Sequence, residues 1–171
     1  MFNKYIKLVI AIAIVAWSVT QFMVSHIMNG ISLVLFAGIF VFFYFKNEIL
    51  LLAFLRLRKQ DFEGAGKWLA KIKNPKGALI KNQEGYFHFL QGLLLSQTNI
   101  TAAEKLFKKA LRIGLAMNHD KAMAKLQLAG IAMTKRRKRE ATMLLAEAKK
   151  LDKHNMLAEQ VRMLKQQMKK I

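Results

Sequence analysis

The sequence predicts an all-α chain, in which an N-terminal hairpin of two apolar helices precedes an array of helix pairs and a C-terminal capping helix. Three observations lead to this prediction. No formally charged side chain occurs between Lys7 and Lys46. The remainder is rich in Ala, Leu, Lys and Met and contains a single proline, Pro75, a composition that favours helices. Small and large apolar residues also recur there at a fixed interval of 38 positions.

The uncharged run predicts a transmembrane hairpin over residues 1–45. One crossing of a ~30 Å hydrocarbon layer takes roughly 20 apolar helical residues, and the run is long enough for two. Asn29 and Gly30 lie near its middle and suit a tight turn, because both residue types tolerate positive φ. We therefore expect helices over residues 5–28 and 31–45. The second is expected to continue unbroken through residues 46–52, with Lys46 reaching the lipid headgroups.

Small residues in the hairpin mark the expected contact between its helices. Ala13, Ala16 and Thr20 share one helical face, and Ala37 and Gly38 lie midway along the second helix. Small side chains let two membrane helices approach closely. We expect these residues to form the packing surface of the hairpin.

Basic residues predict the orientation of the hairpin. Lys4 and Lys7 precede it, Lys46 and Arg56 follow it, and the connecting turn has neither Lys nor Arg. The positive-inside rule then puts both termini in the cytoplasm, which suits the inner membrane of a bacterium. The chain has no cysteine, which excludes disulfides and thiol chemistry.

The part of the chain after position 45 is strongly basic. It carries 27 of the 29 Lys and Arg and all 10 acidic residues. An excess of one sign on this scale favours an anionic partner.

The interval of 38 positions predicts three helix pairs, over about 46–79, 80–118 and 119–155, with a capping helix over 156–171. Positions related by this interval are Ala65, Ala103 and Ala141; Leu69, Phe107 and Leu145; and Ile72, Ala110 and Ala148. These positions lie on one face of the second helix of each pair, so we expect them to be buried between helices. Gly92 and Gly130, also 38 apart, are expected where a neighbouring helix approaches closely.

The small–large–small spacing on the second helix resembles the tetratricopeptide repeat (TPR) family. It falls on Ala103, Phe107 and Ala110, and again on Ala141, Leu145 and Ala148, whereas the first repeat has Ile72 in place of a small residue. The resemblance covers about residues 48–155, with a period longer than the family's 34. It implies a binding protein with a concave face and two edges.

Residues for catalysis are not grouped in this sequence. The four histidines lack metal-ligand spacing, and there is no glycine-rich phosphate loop or nucleophile motif. We therefore expect no enzymatic activity, no metal site and no cofactor.

The densest charge cluster comprises Lys135, Arg136, Arg137, Lys138 and Arg139, here called the basic turn. Two interpretations stay open: a solvated turn between helices, or a patch that binds an acidic protein segment, lipid headgroups or RNA. Few aromatic residues accompany the basic ones, so nucleic acid is the weakest of these ligands. A second candidate surface is a concave groove lined by first-helix residues, namely Phe89, Leu93, Gln127 and Ile131.

Other lysines are expected near the membrane. If the second apolar helix runs unbroken into the first repeat, the chain then returns and brings Lys73, Lys76 and Lys81 back toward the lipid, where Lys46 also lies. Near anionic headgroups each charge adds ~1 kcal/mol of attraction.

These observations favour a membrane-anchored adaptor that holds an acidic or membrane-embedded partner protein at the cytoplasmic face. Two alternatives remain: a subunit of a membrane complex that acts mainly through its hairpin, or a basic module that binds anionic lipid or RNA. The sequence does not indicate the oligomeric state.

Overall fold

The computed structural model describes residues 4–45 and 47–169, and the side chains of residues 4, 7 and 43–45 lie outside that description. All the regular elements within these residues are helices, so the all-α prediction is confirmed. In chain order they are α1 (Lys4–Met23), α2 (Ile27–Phe45), α3 (Glu48–Arg58), α4 (Phe62–Ala70), α5 (Pro75–Ala78), α6 (Lys81–Leu95), α7 (Ile100–Ile113), α8 (Asn118–Thr134), α9 (Lys138–Leu151) and α10 (Ala158–Met168).

The chain divides into two compact units, Met1–Gln83 and Glu84–Ile171. In the first unit α1 pairs with α2 and α3 pairs with α4. The second unit contains most of α6, which pairs with α7. In the same unit α8 pairs with α9, and α10 packs on both α8 and α9. The expected pairing of helices is thus confirmed, whereas the boundaries proposed for the individual repeats stay predictions.

The contact between α1 and α2 is made by small side chains. Ala11 and Ser18 are buried on α1, and Gly30 and Ala37 are buried on α2. The two residues on each helix are seven positions apart, so they lie on the same helical face, two turns from each other. Ser18 also donates a hydrogen bond of 2.7 Å from its hydroxyl to the backbone oxygen of Val15. This narrow seam allows the two helices to lie close together.

The expected packing face of the hairpin was right for Ala37, which is buried in the seam, and wrong for the other four residues. Ala13, Ala16 and Thr20 are exposed, and a Cβ built on Gly38 meets no other atom within 4 Å. These residues lie on other faces of the helices, because the seam follows the seven-residue spacing of Ala11 and Ser18 and of Gly30 and Ala37.

The turn of the hairpin also lies earlier than expected. α1 ends at Met23, Ser25 takes a positive φ of 60°, and α2 begins at Ile27. Gly30 is therefore inside α2, where it makes room for Phe22: a Cβ on Gly30 would lie 2.7 Å from the Phe22 ring. Gly30 therefore allows α1 and α2 to pack closely at Phe22, and it does not form the turn between them.

The continuation of the second apolar helix into the first repeat was wrong as well. Asn47 has an extended backbone, with φ −65° and ψ 123°, and its side chain accepts hydrogen bonds from the amides of Ile49 and Leu50. This N-cap starts a new helix, because an Asn side chain satisfies first-turn donors that an unbroken helix would satisfy itself.

The N-terminal hairpin was predicted to cross a membrane. Taken only as far as the structure describes them, the helices contain no stretch with both the length and the apolar character that a crossing requires. The N-terminal segment is thus a helical hairpin, and its insertion into a membrane stays a prediction.

The residues related by the 38-residue interval are buried, as predicted. Ala103, Phe107 and Ala110 on α7 have no measurable exposure, and Ala141, Leu145 and Ala148 on α9 are equally inaccessible. Ala65, Leu69 and Ile72 are buried in the first pair. The larger Ile72 is accommodated beyond the end of α4, which stops at Ala70.

The turns within the pairs repeat at the same interval. Asp61, Asn99 and Arg137 are the N-caps of α4, α7 and α9. The Asp61 and Asn99 side chains accept hydrogen bonds of 2.8 and 2.9 Å from the amides of Gly64 and Ala102. Arg137 has no acceptor for this purpose, so the third turn is stabilised differently, by the ion pairs described below.

The two glycines expected at close helix contacts differ. A Cβ on Gly92 would lie 2.8 Å from the ring of Phe107, so α6 and α7 do approach closely there. A Cβ on Gly130 would meet nothing within 4 Å, and that expectation was wrong. Its neighbour Ala129 is the fully buried residue of α8 in this region.

Candidate partner-binding surface

The basic turn joins α8 to α9. Lys135 is the C-cap of α8, Arg136 adopts a positive φ of 57°, and Arg137 is the N-cap of α9. The amides of Arg136 and Arg137 bond to the carbonyl oxygens of Met133 and Ala132, which closes a tight turn after α8. The chain reversal therefore brings five cationic side chains together over little more than one turn of backbone.

Two of the five cations are held by Glu104 of α7. The Glu104 carboxylate accepts hydrogen bonds from the Lys135 ammonium at 2.6 Å and from the Arg137 guanidinium at 3.1 Å. It also accepts one from Lys108, one turn further along α7, at 2.7 Å. Glu140 adds a second carboxylate, 3.5 Å from Lys108 and 3.4 Å from Arg137. We call these five residues the Glu104 cluster.

The Glu104 cluster has the electrostatics of a structural contact. Glu104 is 8% exposed. Hydrogen bonds from Lys108 and then Lys135 lower its pKa from 4.5 to about 2, more than desolvation raises it. The same contact with Glu104 raises the pKa of Lys108. The carboxylate is therefore ionised throughout the neutral range and links α7 to the turn between α8 and α9.

Three members of the basic turn remain available to a partner. Arg136, Lys138 and Arg139 are exposed, and within residues 4–45 and 47–169 no ion pair involves them. The surface charge of this turn is thus smaller than its sequence indicates, because Lys135 and Arg137 are already paired with acidic groups of the same unit.

Two of the four expected groove residues are packed inside the helix pairs. Phe89 is 4% exposed, and its ring lies edge-on to that of Phe107 with centroids 5.8 Å apart. Ile131 is also buried, whereas Leu93 and Gln127 are half-buried. Phe89 and Ile131 are therefore core residues, and partner binding in this groove stays a prediction.

The lysines expected near the membrane lie outside the core. Lys73, Lys76 and Lys81 are exposed, around the short helix α5, and Lys46 lies outside the described residues. The argument that placed them beside lipid assumed an unbroken helix across residues 46–52, which the Asn47 cap contradicts. Their position near lipid stays a prediction without that geometric support.

Polar contacts elsewhere in the second unit also join helices. The Tyr86 hydroxyl of α6 donates a hydrogen bond to Asp120 of α8, and burial followed by this contact raises the pKa of Tyr86. Lys125 of α8 pairs with Glu147 of α9. Asp120 therefore contributes to the packing of α8 against α6.

His88 is a buried histidine of α6. Its Nδ1 lies 3.4 Å from Gln91, and burial, helped by nearby Lys109, lowers its pKa. It is consequently neutral at pH 7. Among the described residues, no group of three or more histidine and carboxylate side chains is placed to hold a metal ion.

Sequence reasoning missed Glu104, which organises the basic turn. Its spacing of four residues from Lys108 predicts a helical ion pair. Its place beside buried Ala103 indicated the inner edge of α7. Neither signal shows that α8 would return its C-terminal turn to this carboxylate, since the partners are more than 30 residues apart in sequence.

Comparisons with protein-family models, with curated proteins and with solved structures find no match to this chain. The structure establishes an all-helical protein with paired helices, and the TPR resemblance rests on sequence spacing alone.

Proposed function

We propose that this chain is a membrane-anchored adaptor, whose N-terminal hairpin inserts into a membrane and whose helix pairs hold an acidic partner protein at the cytoplasmic face. Association is its whole task, with no bond made or broken. The three helix pairs that follow the hairpin form a TPR-like array in this proposal, and α10 is its C-terminal cap.

The observation that carries the proposal is the packing of α1 against α2, which is reversed relative to a water-soluble hairpin. The buried seam contains Ala11, Ser18, Gly30 and Ala37, while large apolar side chains face outward. Val9 and Leu35, for example, are 62% and 70% exposed. In water the hydrophobic effect would bury the large side chains and expose the small ones. In lipid, small residues at the contact and apolar residues outside are the usual arrangement.

Polar side chains of the hairpin support the same conclusion. Thr20 and Ser32 donate hydrogen bonds of 2.7 and 2.9 Å to carbonyl oxygens within their own helices, as Ser18 does. Such bonds satisfy hydroxyl groups where no water is available.

The described helices fall short of a typical membrane crossing, so the proposal requires a thin or locally thinned bilayer. The apolar stretches with described side chains, residues 8–23 and 27–42, each rise about 24 Å. In the sequence the second run continues through residues 43–45. A shortfall of a few ångströms from ~30 Å costs fractions of a kcal/mol per ångström, through bilayer thinning and snorkelling of flanking residues.

Reporter fusions test the membrane topology. A reporter inserted after Ser25, in the observed turn, is expected on the opposite side of the membrane from a reporter at the C-terminus. The C-terminal reporter should signal from the cytoplasm, and alkaline carbonate should leave the protein in the membrane pellet. Release by carbonate, or identical signals from both reporters, would refute insertion.

Partner binding is tested by neutralising only the unpaired cations of the basic turn. The variant changes Arg136, Lys138 and Arg139 to Gln and leaves Lys135 and Arg137 in place, so the Glu104 cluster stays intact. A matched control changes three exposed lysines near the end of α9 to Gln, namely Lys149, Lys150 and Lys153.

Proteins that co-purify with the detergent-solubilised chain, with and without nuclease treatment, are then identified at low and high salt. We expect the basic-turn variant to lose one partner at low salt. The wild type should lose the same partner at high salt, because exposed charges are screened within ~8 Å already at physiological ionic strength. Equal recovery from the wild type and both variants would show that the basic turn is only a solvated connection. Loss upon nuclease treatment alone would favour RNA.

A further inference from the structure

The first helix after the hairpin, α3, exposes apolar side chains on the side that faces away from α4. Leu50 and Ala53 are buried, and they place the contact with α4 on one face. Leu51 and Leu55 are each 43% exposed, and Leu52 and Phe54 are exposed as well. A surface helix of a soluble protein would carry polar residues there.

The corresponding positions of the second repeat are covered, and Phe89 there packs against Phe107 of its own helix pair. Counting 38 residues on from Leu51 and Leu52 leads to Phe89 and Leu90 of α6, which are 4% and 2% exposed. A helical array normally ends in a repeat with a polar outer face. The other end of the chain follows this rule, because α10 buries Val161 and exposes charged and amide side chains such as Arg162 and Gln166. The apolar outer face of α3 therefore requires a cover.

Chain continuity places α3 close to the hairpin. α2 ends at Phe45 and α3 begins at Glu48, so the first turn of α3 lies within about 10 Å of the end of α2, whatever the path of the chain between them. If α2 leaves the hydrocarbon layer at that end, the headgroup region is the medium beside α3.

Charge selects lipid over a second copy of this chain. Residues 48–81 contain eight Lys and Arg and three Asp and Glu. Asp61 pairs with Arg56, and Glu63 pairs with Lys67. Arg58 lies on the same helical face as Leu51 and Leu55, at a spacing of seven and three residues. Two copies would repel each other at this surface, whereas anionic headgroups would be attracted.

From these observations we infer that α3 lies in the headgroup layer of an anionic membrane, with Leu51, Leu52 and Leu55 inserted among the upper acyl chains and Arg58 at the phosphates. This inference rests on the proposed insertion of the hairpin. Helices with an apolar face and flanking basic residues bind membrane interfaces in this manner.

Site-specific fluorescence on the full chain tests the inference. The chain has no cysteine, so single variants Leu51→Cys and Leu55→Cys accept an environment-sensitive dye without background. Leu35→Cys, at an exposed position of α2, reports on the hairpin. Met143→Cys, at an exposed position of α9, is the reference for a dye in water. Each protein is reconstituted into vesicles of anionic or zwitterionic phospholipid that carry a quencher at a shallow or a deep position of the acyl chain.

We expect the dyes at positions 51 and 55 to lose fluorescence to the shallow quencher, more strongly in anionic vesicles. The dye at 35 should respond to the deep quencher, and the dye at 143 to neither. A dye at 35 that responds while those at 51 and 55 do not would overturn the α3 inference and leave the proposed function standing. Blue-shifted but unquenched dyes at 51 and 55 would also overturn it, since a protein would then be the cover. A dye at 35 that resists the deep quencher would overturn the proposed function itself.

Discussion

The change Glu104→Gln tests whether the Glu104 cluster stabilises the second unit. Gln keeps the size of the side chain and removes its charge, so Lys108, Lys135 and Arg137 lose their common partner. A fall in pKa from 4.5 in the unfolded chain to about 2 in the folded chain means that the ionised carboxylate contributes about 3 kcal/mol to the free energy of unfolding. We therefore expect the variant to lose about 3 kcal/mol of the free energy of unfolding at pH 7.

The pH dependence of this loss follows from the direction of the pKa shift. The folded-state pKa of Glu104 lies below the unfolded value, so its contribution is complete above about pH 5 and declines as pH falls toward 2. The difference between wild type and variant should shrink from about 3 kcal/mol at pH 7 to about 1.5 kcal/mol at pH 3. Carboxylates outside the Glu104 cluster affect both proteins alike, and they cancel in the difference.

Urea unfolding of the detergent-solubilised chain, followed by the helical circular dichroism signal, measures both quantities. The matched control is Glu63→Gln, which breaks an exposed pair with Lys67 on α4 and should cost at most about 1 kcal/mol. If Glu104→Gln costs no more than Glu63→Gln, or if the difference from wild type does not change between pH 7 and pH 3, the stabilising role assigned to the Glu104 cluster is wrong.

Three further predictions concern the packing of α6, α7 and α8. Phe107→Ala should reduce the free energy of unfolding by about 3–5 kcal/mol, because it removes a fully buried ring. Met143→Ala, at an exposed position of α9, is the control. A loss below about 1 kcal/mol for Phe107→Ala would contradict the assigned core. Gly92→Ala should destabilise the chain by about 1–3 kcal/mol, since its Cβ would meet the Phe107 ring. Gly130→Ala should instead stabilise it by about 0.5–1 kcal/mol, because the new Cβ enters open space in mid-helix; effects of the same sign in both glycine variants, measured by urea unfolding, would count against the contacts described.

Sequence alone was sufficient for the features that arise from local periodicity. The recurrence of Ala103 at Ala141, and of Phe107 at Leu145, predicted which faces of α7 and α9 are buried, because a helical face is defined by spacing along a single segment. The same logic predicted a helical N-terminal hairpin from its uncharged run. The position of the turn between α1 and α2 was predicted wrongly, because Asn29 and Gly30 have the composition of a turn. From sequence alone a glycine within a helix and a glycine in a turn look alike, and only a neighbour such as Phe22 distinguishes them.

Only the tertiary structure decided which side chains meet across distant segments. The sequence shows five adjacent cations in the basic turn, and nothing local to them reveals that Glu104 holds Lys135 and Arg137 and leaves Arg136, Lys138 and Arg139 exposed. It likewise cannot show that Ala11 and Ser18, and not Ala13 and Ala16, form the seam of the hairpin, since several faces of an apolar helix carry small residues. Charge pairing and helix contact depend on distances between segments, and those distances are determined by how the helices pack.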